Sequence, residues 1–277
     1  MSAPKTPGPA PTEARNPRTL DLDRLQPRSL LARILEEDAL VPIAVREALS
    51  ELERASDRLL EVLERGGRWV NLGAGTSGRL GVLDAAEIPP TYGMDPQRVQ
   101  AVIAGGVGAL LRAVEAAEDD TEAATRDLRE RGFCAADALV ALSASGETPY
   151  TVAAAHFARD LGAVTVGVTC SANSQLARAV EVAIAIEVGP EVVAGSTRMK
   201  GGLAQKMVLH ALSTSVMVRL GLVRSNLMTG LRPTSCKLRE RAIRILMDLS
   251  GRSRSEASAA LETADGNLDH ALAQLQG

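Results

Sequence analysis

Aromatic side chains are scarce in this chain, which has one Trp, two Tyr and two Phe among its 277 residues. Its core must therefore be built from Ala, Val, Leu and Ile, and few rings are available on which nucleic-acid bases could stack. Basic residues are not in excess either, since the chain has 31 Lys and Arg and 34 Asp and Glu, which gives a net charge of −3. Together these two deficits argue against a nucleic-acid partner.

Cysteines and long apolar runs are also rare. Cys134, Cys170 and Cys236 are odd in number, far apart and form no CxxC, so neither a disulfide framework nor a zinc site is indicated. No stretch reaches the about 18 consecutive apolar residues of a membrane span. Residues 1–11 are rich in proline and lack the apolar run of a secretory signal. We therefore predict no membrane segment and a cytoplasmic protein with reduced thiols.

Short apolar runs alternate with helical patterns from Trp69 onward. The predicted strands are residues 69–72, 99–104, 138–142, 164–169 and 182–188. The predicted helices between and after them are a helix that stops before Pro89 and residues 110–130, 152–161 and 201–220. Strands that alternate with helices through short connections are typical of an α/β fold. We expect a doubly wound parallel sheet of about five strands, covered by helices on both faces.

The two ends of the chain have different patterns. Residues 1–11 are predicted to be a disordered tail, and residues 28–66 have the apolar periodicity of helices that end at Gly66 and Gly67. Residues 237–277 read as three short amphipathic helices that resemble ubiquitin-associated domains. We predict that this module is a structural cap, and that residues 12–236 form the main domain with its N-terminal helices.

A glycine-rich loop follows the first strand. Its glycines match G-x-G-x-x-G, the pattern of nicotinamide-dinucleotide sites, but no acidic residue stands at the end of the second strand to hold a ribose. The loop instead carries Gly75, Thr76, Ser77 and Gly78 at the start of a helix. Hydroxyls beside free N–H groups at a helix N-terminus suit a phosphate monoester. No G-x-x-x-x-G-K-[ST] motif is present, which argues against a nucleoside triphosphate.

A second loop of this kind follows the third strand. Ser143, Ser145 and Thr148 surround Gly146, which lets the backbone approach an anion closely. Ser and Thr are also frequent helix caps, so one such loop would be ambiguous. Two of them after strands of one parallel sheet favour a shared phosphate ligand at the carboxyl ends of the strands.

Two glutamates occupy unusual positions in the helical patterns. Glu87 continues an apolar stripe, and Glu118 interrupts the apolar face of the next predicted helix. An inward carboxylate is costly unless it is paired or functional, and burial would raise its pKa toward the range that acid–base catalysis needs. The alternative that either glutamate pairs with a nearby arginine, such as Arg79 or Arg112, stays open. No histidine has a partner at metal-ligand spacing, so no metal site is predicted.

Several long motifs resemble those of N-acetylmuramic acid 6-phosphate etherases. They are GAGTSGRLG from residue 73, LDAAE from 83, PPTYG from 89, IAGG from 103, AVEAAED from 113 and GPEVVAGSTRMK from 189. Residues 12–16 and 225–228 resemble further segments of the family. The resemblance covers nearly the whole chain from Thr12 onward.

The resemblance implies a sugar isomerase fold, a homodimer and a phosphosugar substrate. It implies cleavage of the lactyl ether of N-acetylmuramic acid 6-phosphate to N-acetylglucosamine 6-phosphate and D-lactate in cell-wall sugar recycling, without a metal or redox cofactor. The family's two carboxylates fall on Glu87 and Glu118. We assign Glu118 as the base for the carbon 2 proton and Glu87 as the acid for departing lactate. Ser196 and Thr197 join the predicted substrate-binding residues.

The chain departs from the family pattern at two places. Glu147 stands where the family usually has Arg, which places an acid near an acidic substrate, and residues 201–203 read Gly-Gly-Leu where the family more often has Ala-Gly-Thr. An alternative function is a non-catalytic phosphosugar-binding regulator of the same fold, such as the glucokinase regulatory protein. The presence of both Glu87 and Glu118 favours the enzyme.

Overall fold

The structure is a computed structural model that describes residues 11–233 and 235–276, so the predicted tail lies outside the described residues except for Pro11. The helices among the described residues are α1 (Pro27–Asp38), α2 (Val41–Glu47), α3 (Leu49–Glu64), α4 (Gly75–Tyr92), α5 (Thr121–Glu130), α6 (Pro149–Asp160), α7 (Gln175–Ala179), α8 (Lys200–Arg219), α9 (Cys236–Ser250), α10 (Arg254–Thr263) and α11 (Leu268–Gln276). The strands there are β1 (Trp69–Gly73), β2 (Val99–Ile103), β3 (Ala138–Leu142), β4 (Val164–Thr169), β5 (Val182–Ala185), β6 (Val223–Arg224) and β7 (Leu227–Met228).

Five parallel strands form the central sheet in the order β2-β1-β3-β4-β5. Gly73 lies opposite both Ile103 and Leu142, so the carboxyl ends of β1, β2 and β3 stand level with one another. Every residue of β1, β3 and β4 is buried, as expected for strands covered on both faces. The predicted doubly wound α/β fold is therefore confirmed, and the five predicted strands lie where the sequence placed them.

Helices cover both faces of the sheet. α3, α4 and α8 pack on one face through residues such as Leu59, Ile88 and Leu209. α5, α6 and α7 cover the other face, where Leu128 and Leu176 are fully buried. α2 packs against α8 from outside, and α9–α11 enclose a small core of their own. Within the described ranges, no helix combines the length and apolar character that crossing a bilayer requires.

The prediction that the helix after the first loop stops before Pro89 is wrong. α4 continues through Pro89 and Pro90 to Tyr92, and Gly93 ends it in a left-handed conformation. Each proline removes the hydrogen bond that its own nitrogen would donate and crowds the carbonyl four residues earlier, but Gly93 N still donates to Pro89 O at 2.9 Å. Burial of Ile88 against the core keeps this last turn in place.

The prediction of one helix over residues 110–130 is also wrong. A 3₁₀ turn, Val107–Leu110, is followed by an irregular segment, and α5 begins only at Thr121. Ala116 has a φ of 60°, which a continuous helix does not allow. Asp120 then starts a new helix, because its side chain accepts a hydrogen bond from Ala123 N at 2.8 Å. Glu118 therefore lies in a loop rather than on a helix face.

Candidate active site

Three hydroxyl groups converge in the loop after β3. Ser143 Oγ lies 2.8 Å from Thr148 Oγ1 and 3.4 Å from Ser145 Oγ, and it accepts a hydrogen bond from Gly146 N at 3.0 Å. Ser143 is buried, while Ser145 and Thr148 are half-buried and lie beside the N-terminus of α6. Hydroxyls grouped in this way at a helix N-terminus can hydrogen-bond several oxygens of one phosphate.

Gly146 holds this loop against the one that follows β4. Its φ is +71°, and a methyl group there would lie 2.2 Å from Ser174 Oγ and 2.6 Å from Thr169 Oγ1. Sequence reasoning missed this third hydroxyl-bearing loop, although Thr169 ends a strand and Ser171 and Ser174 follow it, just as the residues of the other two loops follow theirs. Ser174 Oγ caps α7 by accepting from Ala177 N, so it supports the cluster rather than opening onto it.

The start of α8 lies between the first two loops. A methyl group at Gly202 would lie 3.5 Å from Cγ2 of Thr76 and 3.6 Å from the carbonyl oxygen of Thr197. One at Gly201 would lie 3.1 Å from Cβ of Ala144. The loop after β1, the loop after β3 and residues 195–199 therefore meet around the first turn of α8. Glycines at 201 and 202 make this close approach possible.

The predicted binding residues therefore lie around one region at the carboxyl edge of the sheet. They are Gly75, Thr76, Ser77, Gly78, Ser143, Ser145, Gly146, Thr148, Ser196 and Thr197. Gly78 is buried beneath the first loop, where a methyl group would come within 2.5 Å of Gly73 O, so its place in the structure is the close packing of α4 on β1. Substrate contact by the others stays a prediction.

The carboxylate of Glu147 faces α7 rather than the hydroxyl cluster. Its Oε1 accepts a hydrogen bond from Gln175 N at 3.0 Å, and its Oε2 accepts one from Gln175 Nε2 at 2.6 Å. A carboxylate is favoured at this place because the N-terminus of a helix carries a partial positive charge. Glu147, which stands where the family usually has Arg, thus has Gln175 as its partner, and its carboxylate is directed at α7 rather than at the expected phosphate site.

We expect Glu147→Gln to change the Michaelis constant for a phosphosugar by less than about threefold, because the carboxylate is engaged by α7. The free energy of unfolding should fall by about 0.5–1 kcal/mol as the charged cap is lost. Steady-state kinetics and urea unfolding measure the two quantities. A Michaelis constant that fell about tenfold or more would mean that Glu147 repels the substrate directly.

Glu118 is held close to the hydroxyl cluster by its backbone. Its carbonyl oxygen accepts a hydrogen bond from Tyr150 N at 2.9 Å, in the first turn of α6 just after Thr148. Tyr150 is fully buried, and its hydroxyl donates to Asp127 Oδ2 at 2.7 Å. Burial and the Asp127 carboxylate both raise the pKa of Tyr150, so the phenol remains a donor. The side chain of Glu118 is exposed at the edge of the cluster.

Glu87 is exposed too, and it lies elsewhere. It stands 11 residues beyond Thr76 on α4, which places it about 16 Å down the helix, towards the opposite edge of the sheet. The prediction that Glu87 and Glu118 face inward is therefore wrong within this chain. Among the described residues neither glutamate forms an ion pair within 4.0 Å, and Arg79 instead donates from Nε to Leu110 O.

Comparison with known proteins places this arrangement in a family. Residues 51–159 match the glucokinase regulatory protein N-terminal SIS domain, and residues 134–215 match the SIS domain. Curated N-acetylmuramic acid 6-phosphate etherases of Yersinia pestis (strain Pestoides F) and Yersinia pseudotuberculosis serotype O:1b (strain IP 31758) are each 48% identical over 264 residues. The alignments cover 95% of this chain and 90% of each relative. The chain belongs to the N-acetylmuramic acid 6-phosphate etherase family.

Solved structures similar to this etherase-family chain share its sheet. The Escherichia coli CFT073 protein c3406 has a TM-score of 0.53 and 20% identity over 73% of this chain and 97% of its own. A phosphoheptose isomerase from Francisella tularensis has a TM-score of 0.52 and 15% identity over 70% of this chain and 100% of its own. At these identities the likeness shows the fold alone, and the resemblance to sugar isomerase domains is confirmed at that level.

Sequence reasoning missed the buried charged residues of this family member, among them Glu37, Glu191 and Lys200, which are 1%, 0% and 1% exposed. A signal for Glu37 was available, because it follows Leu30 and Ile34 at the i, i+4, i+7 spacing of a helical stripe. The same test singled out Glu87, which is exposed. Helical spacing alone does not say which stripe of an outer helix has a neighbour to pack against.

Proposed function

We propose that this chain cleaves the D-lactyl ether of N-acetylmuramic acid 6-phosphate, giving N-acetylglucosamine 6-phosphate and D-lactate. The observation that carries the proposal is its 48% identity over nearly full length to curated etherases. The hydroxyl cluster of Ser143, Ser145 and Thr148 supports it, because it offers a phosphate monoester several donors at one helix N-terminus. The reaction would serve the recycling of cell-wall sugar in the cytoplasm, where the three free cysteines would stay reduced.

The chemistry requires two proton transfers on neighbouring carbons. Opening of the sugar ring gives an aldehyde at carbon 1, which makes the proton on carbon 2 acidic. A carboxylate removes that proton, the bond from carbon 3 to the ether oxygen breaks, and a second carboxyl group protonates the departing lactate oxygen. Water then adds to the unsaturated aldehyde, which restores a hydroxyl group at carbon 3. A positioned base and acid each contribute about 10²–10⁴-fold to such a reaction.

Glu118 is the proposed base. It lies on a segment whose carbonyl is tied to Tyr150 N, next to the cluster proposed to hold the phosphate. The irregular conformation of residues 111–120 leaves its carboxylate free of any helix face, so it can turn towards a bound sugar. Glu87 is the proposed acid for the departing lactate, on the opposite side of the reacting carbons.

We propose that Glu87 reaches the reaction from a second copy of the chain in a homodimer. Within one chain it stands about 16 Å along α4 from Thr76, which takes it away from the carboxyl edge of the sheet where Glu118 is tied to α6. Exposed apolar side chains occur on the same stretches of chain as both glutamates: Leu83 on α4 is 46% exposed, and Val107 and Leu111, which precede Glu118, are 81% and 90% exposed. Further exposed apolar residues lie on the outer helices, at Leu31, Leu35, Ile43 and Leu49. Burial of these side chains in a dimer would remove them from water, which supports the proposed interface.

Release of D-lactate from N-acetylmuramic acid 6-phosphate tests the proposed reaction directly. The match of residues 51–159 to a regulatory protein's domain favours a second candidate, a phosphosugar-binding regulator without turnover. Purified protein is incubated with the substrate, and the released D-lactate is measured with D-lactate dehydrogenase. We expect one D-lactate for each N-acetylglucosamine 6-phosphate formed. Binding of the phosphosugar without lactate release would support the regulator and contradict the etherase proposal.

A further inference from the structure

Residues 12–19, here called the strap, cross over residues 189–199, here called the substrate loop. Gly195 N donates to Thr12 O at 3.0 Å, and Thr19 Oγ1 donates to Val192 O at 2.8 Å. Asn16 Nδ2 donates to Pro190 O at 3.3 Å. Thr12, Asn16 and Thr19 are all buried, and the bond from Thr19 to Val192 is buried with them. The strap therefore holds the first part of the substrate loop at three points.

A buried ion pair lies beneath the strap. Lys200 Nζ donates to Glu37 Oε2 and to Val188 O, both at 2.8 Å. Glu37 also accepts from Asn16 Nδ2 at 2.9 Å, and its Oε1 lies 2.7 Å from Arg18 Nε. Burial raises the pKa of Glu37, but the hydrogen bonds from Lys200 and Asn16 and the two positive charges outweigh it, so that its pKa is lowered overall. The carboxylate therefore stays charged and ties α1, the strap and the start of α8 together.

The other end of the substrate loop is fixed by Glu191. Its Oε2 accepts from Lys200 N and its Oε1 from Gly201 N, both at 2.9 Å. The loop thus closes on the first turn of α8, while Gly202 N donates to Thr197 O at 2.8 Å. Ser196 and Thr197 lie between these two anchors and are half-buried. They lie outside regular secondary structure, and apart from local turn bonds and the bond from Gly202 N their position depends on the anchors.

A buried ion pair of this kind contributes little net stability, since well-packed apolar residues usually serve as well. Its better-attested use is to specify one arrangement of the segments that it joins. Here those segments are the strap, α1 and the substrate loop. We propose that the strap, with Glu37 and Lys200 as positioning residues, holds the substrate loop in the one conformation that presents Ser196 and Thr197 to the phosphosugar. The inference rests on the proposed function for its substrate.

The test compares two substitutions at Thr19. Thr19→Val removes the hydroxyl that bonds Val192 O and keeps the volume, whereas Thr19→Ser keeps the hydroxyl. We expect Thr19→Val to raise the Michaelis constant for N-acetylmuramic acid 6-phosphate about tenfold with kcat within about twofold, as for one lost buried hydrogen bond. Thr19→Ser should stay within about twofold of the wild type. Amide hydrogen exchange of residues 189–199 should speed up about tenfold in Thr19→Val alone.

The ion pair is tested by replacing both charges together, since one alone would leave a buried charge unpaired. Glu37→Leu with Lys200→Met should fold, raise the Michaelis constant about tenfold and speed exchange in the same loop. The control is Asp137→Asn, which breaks another buried ion pair, to Arg68 Nη2 at 2.6 Å, at the opposite edge of the sheet. It should lower the melting temperature and leave the Michaelis constant unchanged. If the Michaelis constant rose equally in Asp137→Asn, the effect would come from general destabilisation and the proposal would be overturned.

Failure of the two proposals can be told apart. If the wild-type protein releases no lactate, the proposed reaction is contradicted. The strap proposal is then tested by amide hydrogen exchange of residues 189–199 and by the calorimetric affinity for N-acetylglucosamine 6-phosphate. That affinity should fall about tenfold in Thr19→Val and not in Thr19→Ser. Unchanged exchange, or unchanged affinity and Michaelis constant, in Thr19→Val overturns the strap whatever the activity of the wild type.

Discussion

Glu118→Gln is expected to slow D-lactate release by about 10²–10⁴-fold, the contribution of a positioned general base. The amide keeps the size of the side chain and its backbone bond to Tyr150, but it cannot take the proton from carbon 2. Lactate release measured at saturating substrate reports the loss in kcat. Calorimetric affinity for N-acetylglucosamine 6-phosphate should stay within about threefold, because the hydroxyl cluster is untouched.

The matched control is Glu115→Gln, which removes a neighbouring exposed carboxylate from the same irregular segment. It should retain kcat within about twofold, as surface substitutions away from special features usually do. The assignment of Glu118 fails if Glu118→Gln turns over at the wild-type rate. A weakened affinity for the product with an unchanged kcat would instead place Glu118 among the binding residues.

Mixing two inactive variants should restore activity if each site takes its carboxylates from two chains. Glu87→Gln and Glu118→Gln homodimers each lack one group at both sites. A mixed dimer with Glu87 and Glu118 from opposite chains has one site with both glutamates and one with neither. Random reassociation at equal concentrations makes half of the dimers mixed, so about one quarter of the wild-type rate should return. The gain over either variant alone is then at least about 25-fold, given the loss expected for each residue.

The outcome separates two placements of the acid. If Glu87 and Glu118 served the same site from one chain, every site in a mixed dimer would lack one of them, and no activity would return. Exchange of subunits is measured independently of activity, by native mass spectrometry of a mixture in which one variant carries a tag that changes its mass. Persistent inactivity of the first mixture, with exchange demonstrated, would refute the shared site.

Much of the fold could be predicted from the sequence because strands buried on both faces leave an unmistakable pattern. The run at 138–142 is wholly apolar, the run at 164–169 alternates valine with threonine and glycine, and both strands have the predicted bounds. The two hydroxyl loops were predictable for the same reason: parallel strands bring their carboxyl ends to one edge. The family followed from long motifs that local chemistry alone would not produce.

The exposure and direction of the charged side chains depended on which distant segments pack against them. Helical spacing indicated inward positions for Glu87 and Glu118, yet α4 turns Glu87 to solvent, and a capping Asp120 leaves Glu118 in a loop. The Glu147 carboxylate takes its direction from Gln175, which is 28 residues away in the chain. Glu37 can be buried because it pairs with Lys200, which is 163 residues away. The strands, the loops at their ends and the family could be read from local composition and residue order alone. Which charges are buried and which face solvent depended on the packing of distant segments, because the free energy of a charged side chain depends on partners that no local pattern specifies.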